Sequence, residues 1–162
     1  MMGESIELNE MQKAYMRMAT VMAVIDRARD LELARIGLNV PKASVLYCLR
    51  ISKEPVTPMK LSRMMHKQPH TVSALVHRME AQDLVSTKKD LKRKNWVRVS
   101  LTKKGEKALK MWANTHEVPD TVFSLSKKES DALYSITERL HNRSLEMLRK
   151  FQPDPYREPL FW

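Results

Sequence analysis

The residues able to do chemistry crowd into the middle of this chain. His66, His70 and His77 fall close together, with Gln68, Thr71 and Ser73 among them, and Lys92, Arg93 and Lys94 follow as an unbroken cationic run. The three histidines do not suggest a metal centre, because no cysteine or carboxylate stands at ligand spacing from them. Residues 53–110 carry fifteen basic and five acidic side chains. Residues 1–52 carry seven and six, and residues 111–162 seven and eight, so the middle third holds the whole net charge of +10. A compact basic segment between near-neutral arms is the footprint of a polyanion-binding surface, since phosphate contacts release counterions and supply most non-specific affinity. Catalytic chemistry has no such footprint. There is no Ser/His/Asp or Cys/His arrangement and no carboxylate pair at a strand end, so the chain reads as a non-enzyme without a cofactor. Its three glycines, Gly3, Gly37 and Gly105, are too scattered for a glycine-rich phosphate loop. The single cysteine, Cys48, sits between Tyr47 and Leu49, which suits a buried structural thiol better than a redox sensor.

These side chains need a scaffold, and the hydrophobic pattern supplies one. Residues 8–36 read as one long helix, with Met11, Ala14, Met18, Val21, Ile25 and Ala28 at three-four spacing. Gly37 ends it, because glycine tolerates the left-handed cap conformation. Asn39 caps a second helix that has Pro41 in its first turn and runs to about Ile51. Residues 53–56 form an extended link. Thr57-Pro58 opens a short third helix ending near His66, and Pro69 opens a fourth. The fourth helix has an apolar face of Val72, Leu75, Val76 and Met79, and an opposite face of His70, Ser73, Ala74 and His77. Two short helices joined by a tight turn form a helix-turn-helix. Residues 84–89 and 96–101 then make a β-hairpin, whose second limb alternates in strand period and whose tip carries Lys92, Arg93 and Lys94. Helix-turn-helix plus hairpin is a winged helix. Thr102 caps a fifth helix that should end before Pro119. The capping box of Ser126 and Glu129 starts a sixth, striped with Leu133, Ile136, Leu140, Met147 and Phe151. The tail from Gln152 holds three prolines and cannot continue a helix.

The stretch over residues 70–105, HTVSALVHRMEAQDLVSTKKDLKRKNWVRVSLTKKG, resembles the multiple-antibiotic-resistance regulator (MarR) family of winged-helix transcription factors. Thr71, Val72, Ser73, Leu75, Val76, Arg78, Glu80, Leu84 and Val85 fit the family's recognition-helix run. Asp90, Leu101, Thr102 and Gly105 fit its wing and the helix that follows. The resemblance implies that the exposed face of the fourth helix enters a DNA major groove, with contacts from Gln68, His70, Thr71, Ser73, Ala74, His77 and Arg78. It also implies that Lys92, Arg93 and Lys94 reach the minor groove or its phosphates. The departures have a direction. Asp83 replaces the usual glycine after the recognition helix. Lys92 stands for the wing's first arginine, Arg93 for an aspartate and Asn95 for a later arginine, so this wing is more basic than the pattern.

The fold class expected is mainly α with a small β-hairpin. Residues 1–36 form an N-terminal dimerisation helix, 37–101 the DNA-binding winged helix, 102–151 C-terminal dimerisation helices and 152–162 a proline-containing tail. The terminal apolar stripes need partners, which each other or a second copy could supply. The expected function is a homodimeric repressor that binds a palindromic double-stranded operator. Methionines in the first helix (Met11, Met16, Met18, Met22) and near the third (Met59, Met64, Met65) either fill the core or line a pocket for an apolar or aromatic effector. A protein-interaction winged helix and a sequence-blind architectural DNA binder are the rivals. The first has no reason to concentrate positive charge on helix and wing. No apolar run approaches a membrane span, and residues 1–10 lack the order of a secretion signal, so the expected location is the cytoplasm.

Overall fold

The structure, a computed structural model, describes residues 8–89 and 97–151. Seven helices and one hairpin follow in chain order: α1 (Glu10–Ala34), α2 (Val40–Ile51), α3 (Pro58–Met64), α4 (Pro69–Ala81), β1 (Val85–Lys89), β2 (Val97–Leu101), α5 (Lys103–Ala113), α6 (Glu117–Val122) and α7 (Lys127–Phe151).

Local chemistry sets most of these boundaries. Asn9 and Gln12 form a reciprocal capping box at the start of α1. At its end, Gly37 takes φ +74, and Leu38 N–H reaches back to the Leu33 carbonyl at 3.0 Å. That is the glycine-terminated helix end the sequence predicts. Asn39 caps α2 through Lys42 N–H, and Asp30 of α1 accepts the Val40 N–H at 2.7 Å, so one carboxylate sets the corner between the two helices. Thr57 caps α3, with Pro58 in its first turn.

The core lies where α2, α3, α4 and the hairpin meet. Leu33, Val45, Leu46, Leu61, Val72, Val76, Met79 and Val85 are fully buried there, and each stabilises the fold by roughly 1.5–3 kcal/mol. The buried face of α4 is the predicted one: Val72, Leu75, Val76 and Met79. The strands pair antiparallel from Val85 opposite Leu101 to Lys89 opposite Val97. Val56 in the extended link adds an isolated antiparallel bridge on the other side of β2, its carbonyl accepting the Val99 N–H at 2.8 Å. Cys48 is buried in this core, and desolvation pushes its thiol up to about 11.

α5 is seated on the winged helix, although its position in the chain groups it with the C-terminal helices. Ala108 is buried, and Trp112 lies against Tyr47 of α2 with ring centroids 5.6 Å apart. Gly105 permits the approach: a Cβ there would sit 1.9 Å from the Leu84 carbonyl oxygen.

The fifth helix ends before Pro119 as expected, at Ala113, but a helix the sequence pattern did not show follows it. Pro119 lies inside this short helix, α6. Proline is compatible with a helix's first turn, because the N–H it lacks would have no intrahelical acceptor there. α6 is held against α1 by Glu32, a buried carboxylate that pairs with Arg29 and accepts the Val118 N–H at 3.3 Å. Burial pushes this carboxyl up. The bonds from Arg29 and from the Val118 and Glu117 backbone, with the charge of Arg29, outweigh that and leave it below the usual range.

α7 begins at the predicted box, where Ser126 N–H and hydroxyl both donate to Glu129. None of its described residues is buried, and Leu133, Ile136, Leu140, Met147 and Phe151 are all exposed. The methionines divide: Met64 and Met65 pack against the core, whereas Met11, Met16, Met18 and Met22 are exposed on α1. An open cleft between α2, the link, β2 and α5 is bounded by Arg50, Ser52, Glu54, Ser100 and Glu106, a polar wall with no methionine in it.

Candidate nucleic-acid interface

α4 is gripped at both ends by residues in the left-handed conformation. His66, in the turn before it, has φ +49, and Lys67 N–H bonds to the Ser62 carbonyl at 3.0 Å. Asp83, after it, has φ +58, and Leu84 N–H bonds to the Met79 carbonyl at 2.9 Å. Two non-glycine residues in this region cost roughly 1–2 kcal/mol each. The packing on either side supports the strain, so the tilt of α4 is set by its flanks as well as by its buried face. Asp83 thus adopts the conformation the sequence required of it.

Side-chain bonds then lock α4 to the hairpin. Glu80 accepts the Thr87 N–H at 2.7 Å and the Thr87 hydroxyl at 2.6 Å, and these two bonds hold its carboxyl below the usual range. Thr102 donates its hydroxyl to the Asp83 carbonyl at 2.5 Å, and Lys104 Nζ reaches the Gln82 carbonyl at 2.8 Å. The helix, its exit turn, β1 and the first turn of α5 therefore form one hydrogen-bonded unit. Sequence reasoning found Glu80 only as a match to a pattern. Its bond to Thr87 joins two elements, and the periodicity of neither one shows it.

On this mount, Gln68, His70, Thr71, Ala74, His77 and Arg78 are exposed and Ser73 is half-buried. The Gln68 side chain makes no capping bond to the helix it precedes. His70, Ser73, Ala74 and His77 share the face opposite Val72, Leu75, Val76 and Met79, at three-four spacing. The arrangement presents imidazole, hydroxyl and amide groups on a convex helical ridge, groups that donate to or accept from base edges. His66 stands off this ridge, its ring edge-on to His141 of α7 with centroids 6.0 Å apart. Among the described residues, no group of three His, Cys, Asp or Glu is placed to hold a metal ion, and no helix is long and apolar enough to cross a membrane. Lys92, Arg93 and Lys94 lie outside the described residues; the strands leading to them are β1 and β2.

A family model for MarR proteins matches residues 36–94, from the end of α1 into the hairpin. The organic hydroperoxide resistance transcriptional regulator of Bacillus subtilis strain 168 is 27% identical over 123 residues, 69% of this chain and 78% of that one. The stretch over residues 36–94 of this chain thus resembles the MarR family, and the fold agrees. Its winged helix has the fold of DNA-binding transcriptional regulators. Solved structures agree with the placement. An organohalide-sensing transcriptional regulator bound to 2,4-dichlorophenol matches with a TM-score of 0.81 and 26% identity, over 93% of this chain and 92% of that one. A mutant MarR from E. coli complexed with operator DNA matches with a TM-score of 0.76 over 84% of this chain and 99% of that one; at 17% identity that likeness is one of fold. In the MarR fold shared by these chains, the helix-turn-helix is α3–α4 and the wing is β1–β2.

Proposed function

We propose that the chain acts as a homodimeric repressor of a palindromic operator, released by a small apolar or aromatic ligand. The observation that carries this reading is the ridge of exposed His70 and His77 with half-buried Ser73, on a helix fixed to a basic hairpin. Base edges are read by Gln68, His70, Thr71, Ser73, Ala74 and His77, while Arg78 and the wing residues Lys92, Arg93 and Lys94 meet phosphates or the minor groove. Dimerisation is supported by α1 and α7. Their apolar side chains, from Met11, Tyr15 and Val21 to Leu133, Ile136 and Phe151, are exposed in one chain, and so many exposed apolar groups call for a partner. The dimer then presents two copies of α4 to successive major grooves about 34–36 Å apart. Release by a ligand is supported by the organohalide-sensing relative, which was captured with a chlorinated phenol.

The decisive experiment is a nuclease footprint on the DNA upstream of the gene and its neighbours. A single protected inverted repeat that 2,4-dichlorophenol or a similar phenol clears is the expected result. Uniform protection of all DNA would make the chain an architectural binder, and no protection would end the reading. A footprint unmoved by phenols would remove only the proposed effector class.

A further inference from the structure

The last turns of α1 hold both halves of the molecule. Leu33 is buried in the core, so this end of α1 is seated in the winged helix. Asp30 accepts the Val40 N–H at 2.7 Å, at the first residue of α2. Glu32 accepts the Val118 N–H at 3.3 Å, in the first turn of α6, and the Glu117 backbone bonds to it as well. Each carboxylate thus satisfies a first-turn N–H that has no acceptor within its own helix. Two residues apart on a helix means roughly 200° around its axis, so the two leave α1 on nearly opposite sides. For α6 this bond is the buried tie. Its own N-cap residue, His116, supplies no side-chain bond, and none of its residues is buried. The pair of Arg35 and Glu117, at 3.1 Å, is open to water, whereas Glu32 is only 4% exposed and paired with half-buried Arg29.

The two ties join different parts. Asp30 holds the entrance to the winged helix, and Glu32 holds α6, from which α7 follows. Residues 10–24 of α1 are exposed throughout and α7 buries no residue, so the apolar surface that the proposed dimer covers lies on these two helices. In a dimer built through them, the distance between the two copies of α4 depends on how α6 and α7 are set against α1. His141 of α7 also touches His66 before α4, ring to ring, but His66 is exposed and that contact is open to water. The root of α7 is held instead by a buried charge. A buried charge that loses its partners is costly, so this joint has one strongly preferred geometry. We propose that Glu32 is the positioning residue that fixes the half-site spacing the dimer accepts. The inference rests on the proposed dimer and its palindromic operator, and adds what sets the operator's geometry. Glu32 is buried, so it acts through α6 and α7 on the separation of the recognition helices.

The test reads spacing separately from stability. Wild type, E32A, E32Q and R35A each select from a pool of random duplexes of about 40 base pairs, roughly four helical turns, and the bound sequences are read. Wild type should return one half-site, inverted, at one dominant spacing. E32Q keeps the side chain's shape and gives up its charge, and E32A gives up the bonds too. Both should return the same half-site at a spread of spacings, E32A the broader. On a duplex with the wild-type spacing, E32A should bind on the order of tenfold more weakly, the loss expected for a hydrogen bond to a charged group. On duplexes one or two base pairs longer or shorter the loss should be smaller. R35A removes the exposed pair at the same joint and should keep the wild-type spacing. Light scattering and a thermal melt show which variants are folded and associated; should E32A fail to fold, E32Q decides alone. A lower yield with the wild-type spacing retained would make Glu32 a stability residue only and overturn the proposal, as would an equal spread from R35A. A wild type that returns no inverted repeat would take the palindromic-operator reading down with the role of Glu32.

Discussion

Gly105 is a residue whose identity geometry alone dictates. Its φ is not left-handed; the constraint is space, because a methyl group would meet the Leu84 carbonyl oxygen at 1.9 Å. Gly105→Ala should push α5 off the turn after α4 and cost about 2–3 kcal/mol. A thermal melt should read this as a drop of roughly 5–10 °C. Glu80 holds the neighbouring joint, and its bonds to Thr87 favour the charged carboxylate. A carboxyl depressed in the folded state stabilises above its unfolded value, about 4.3, and loses that contribution as pH falls through the folded value. Glu80→Ala should therefore melt below wild type at neutral pH, and the gap should close in melts repeated near pH 3. In the proposed function His77 lies on the recognition ridge, where a good base contact discriminates by about 1–3 kcal/mol. His77→Ala should erode the preference for operator over scrambled duplex and leave the scrambled affinity nearly intact. Equal losses on both duplexes would assign His77 to phosphate instead.

At the scale of elements, the proposed function divides the labour of binding between helix and wing. α4 is flanked by His66 and Asp83 in the left-handed region and bonded to β1, which suits readout of fixed base edges. The wing's Lys92, Arg93 and Lys94 bring long cationic side chains suited to phosphates or a narrow minor groove. Replacing all three with alanine should weaken operator and unrelated DNA by similar factors. It should also flatten the salt dependence, which for a dimer neutralising on the order of 6–10 phosphates starts steep. Paired titrations at several salt concentrations read both effects, and a loss confined to the operator would reverse the assignment. α6 shows where element reading fails. Its six residues contain a proline and no apolar period, and Glu32, which holds it, lies far away in sequence.

For the whole molecule the open account is the apolar surface of α1 and α7. Tyr134 is 70% exposed and Phe151 75%, values that a chain standing alone has no reason to keep. Light scattering at micromolar concentration should give twice the chain mass of 18.9 kDa; a value near 18.9 kDa would refute the two-fold arrangement. The sequence alone determined whatever depends on near neighbours along the chain. Asn39, Thr57 and Thr102 name their helix starts because a cap bonds N–H groups two or three residues on. Gly37 names a helix end, and Val72, Leu75, Val76 and Met79 name the buried face of α4, because helical spacing is a local regularity. The ridge of His70, Ser73 and His77 follows from the same spacing. Tertiary structure alone decided the joints. Glu80 to Thr87, Glu32 to α6 and Gly105 beneath Leu84 each depend on how elements are brought together. Caps and periodicity fix each element separately, but the meeting of two is set by the packing of the whole core.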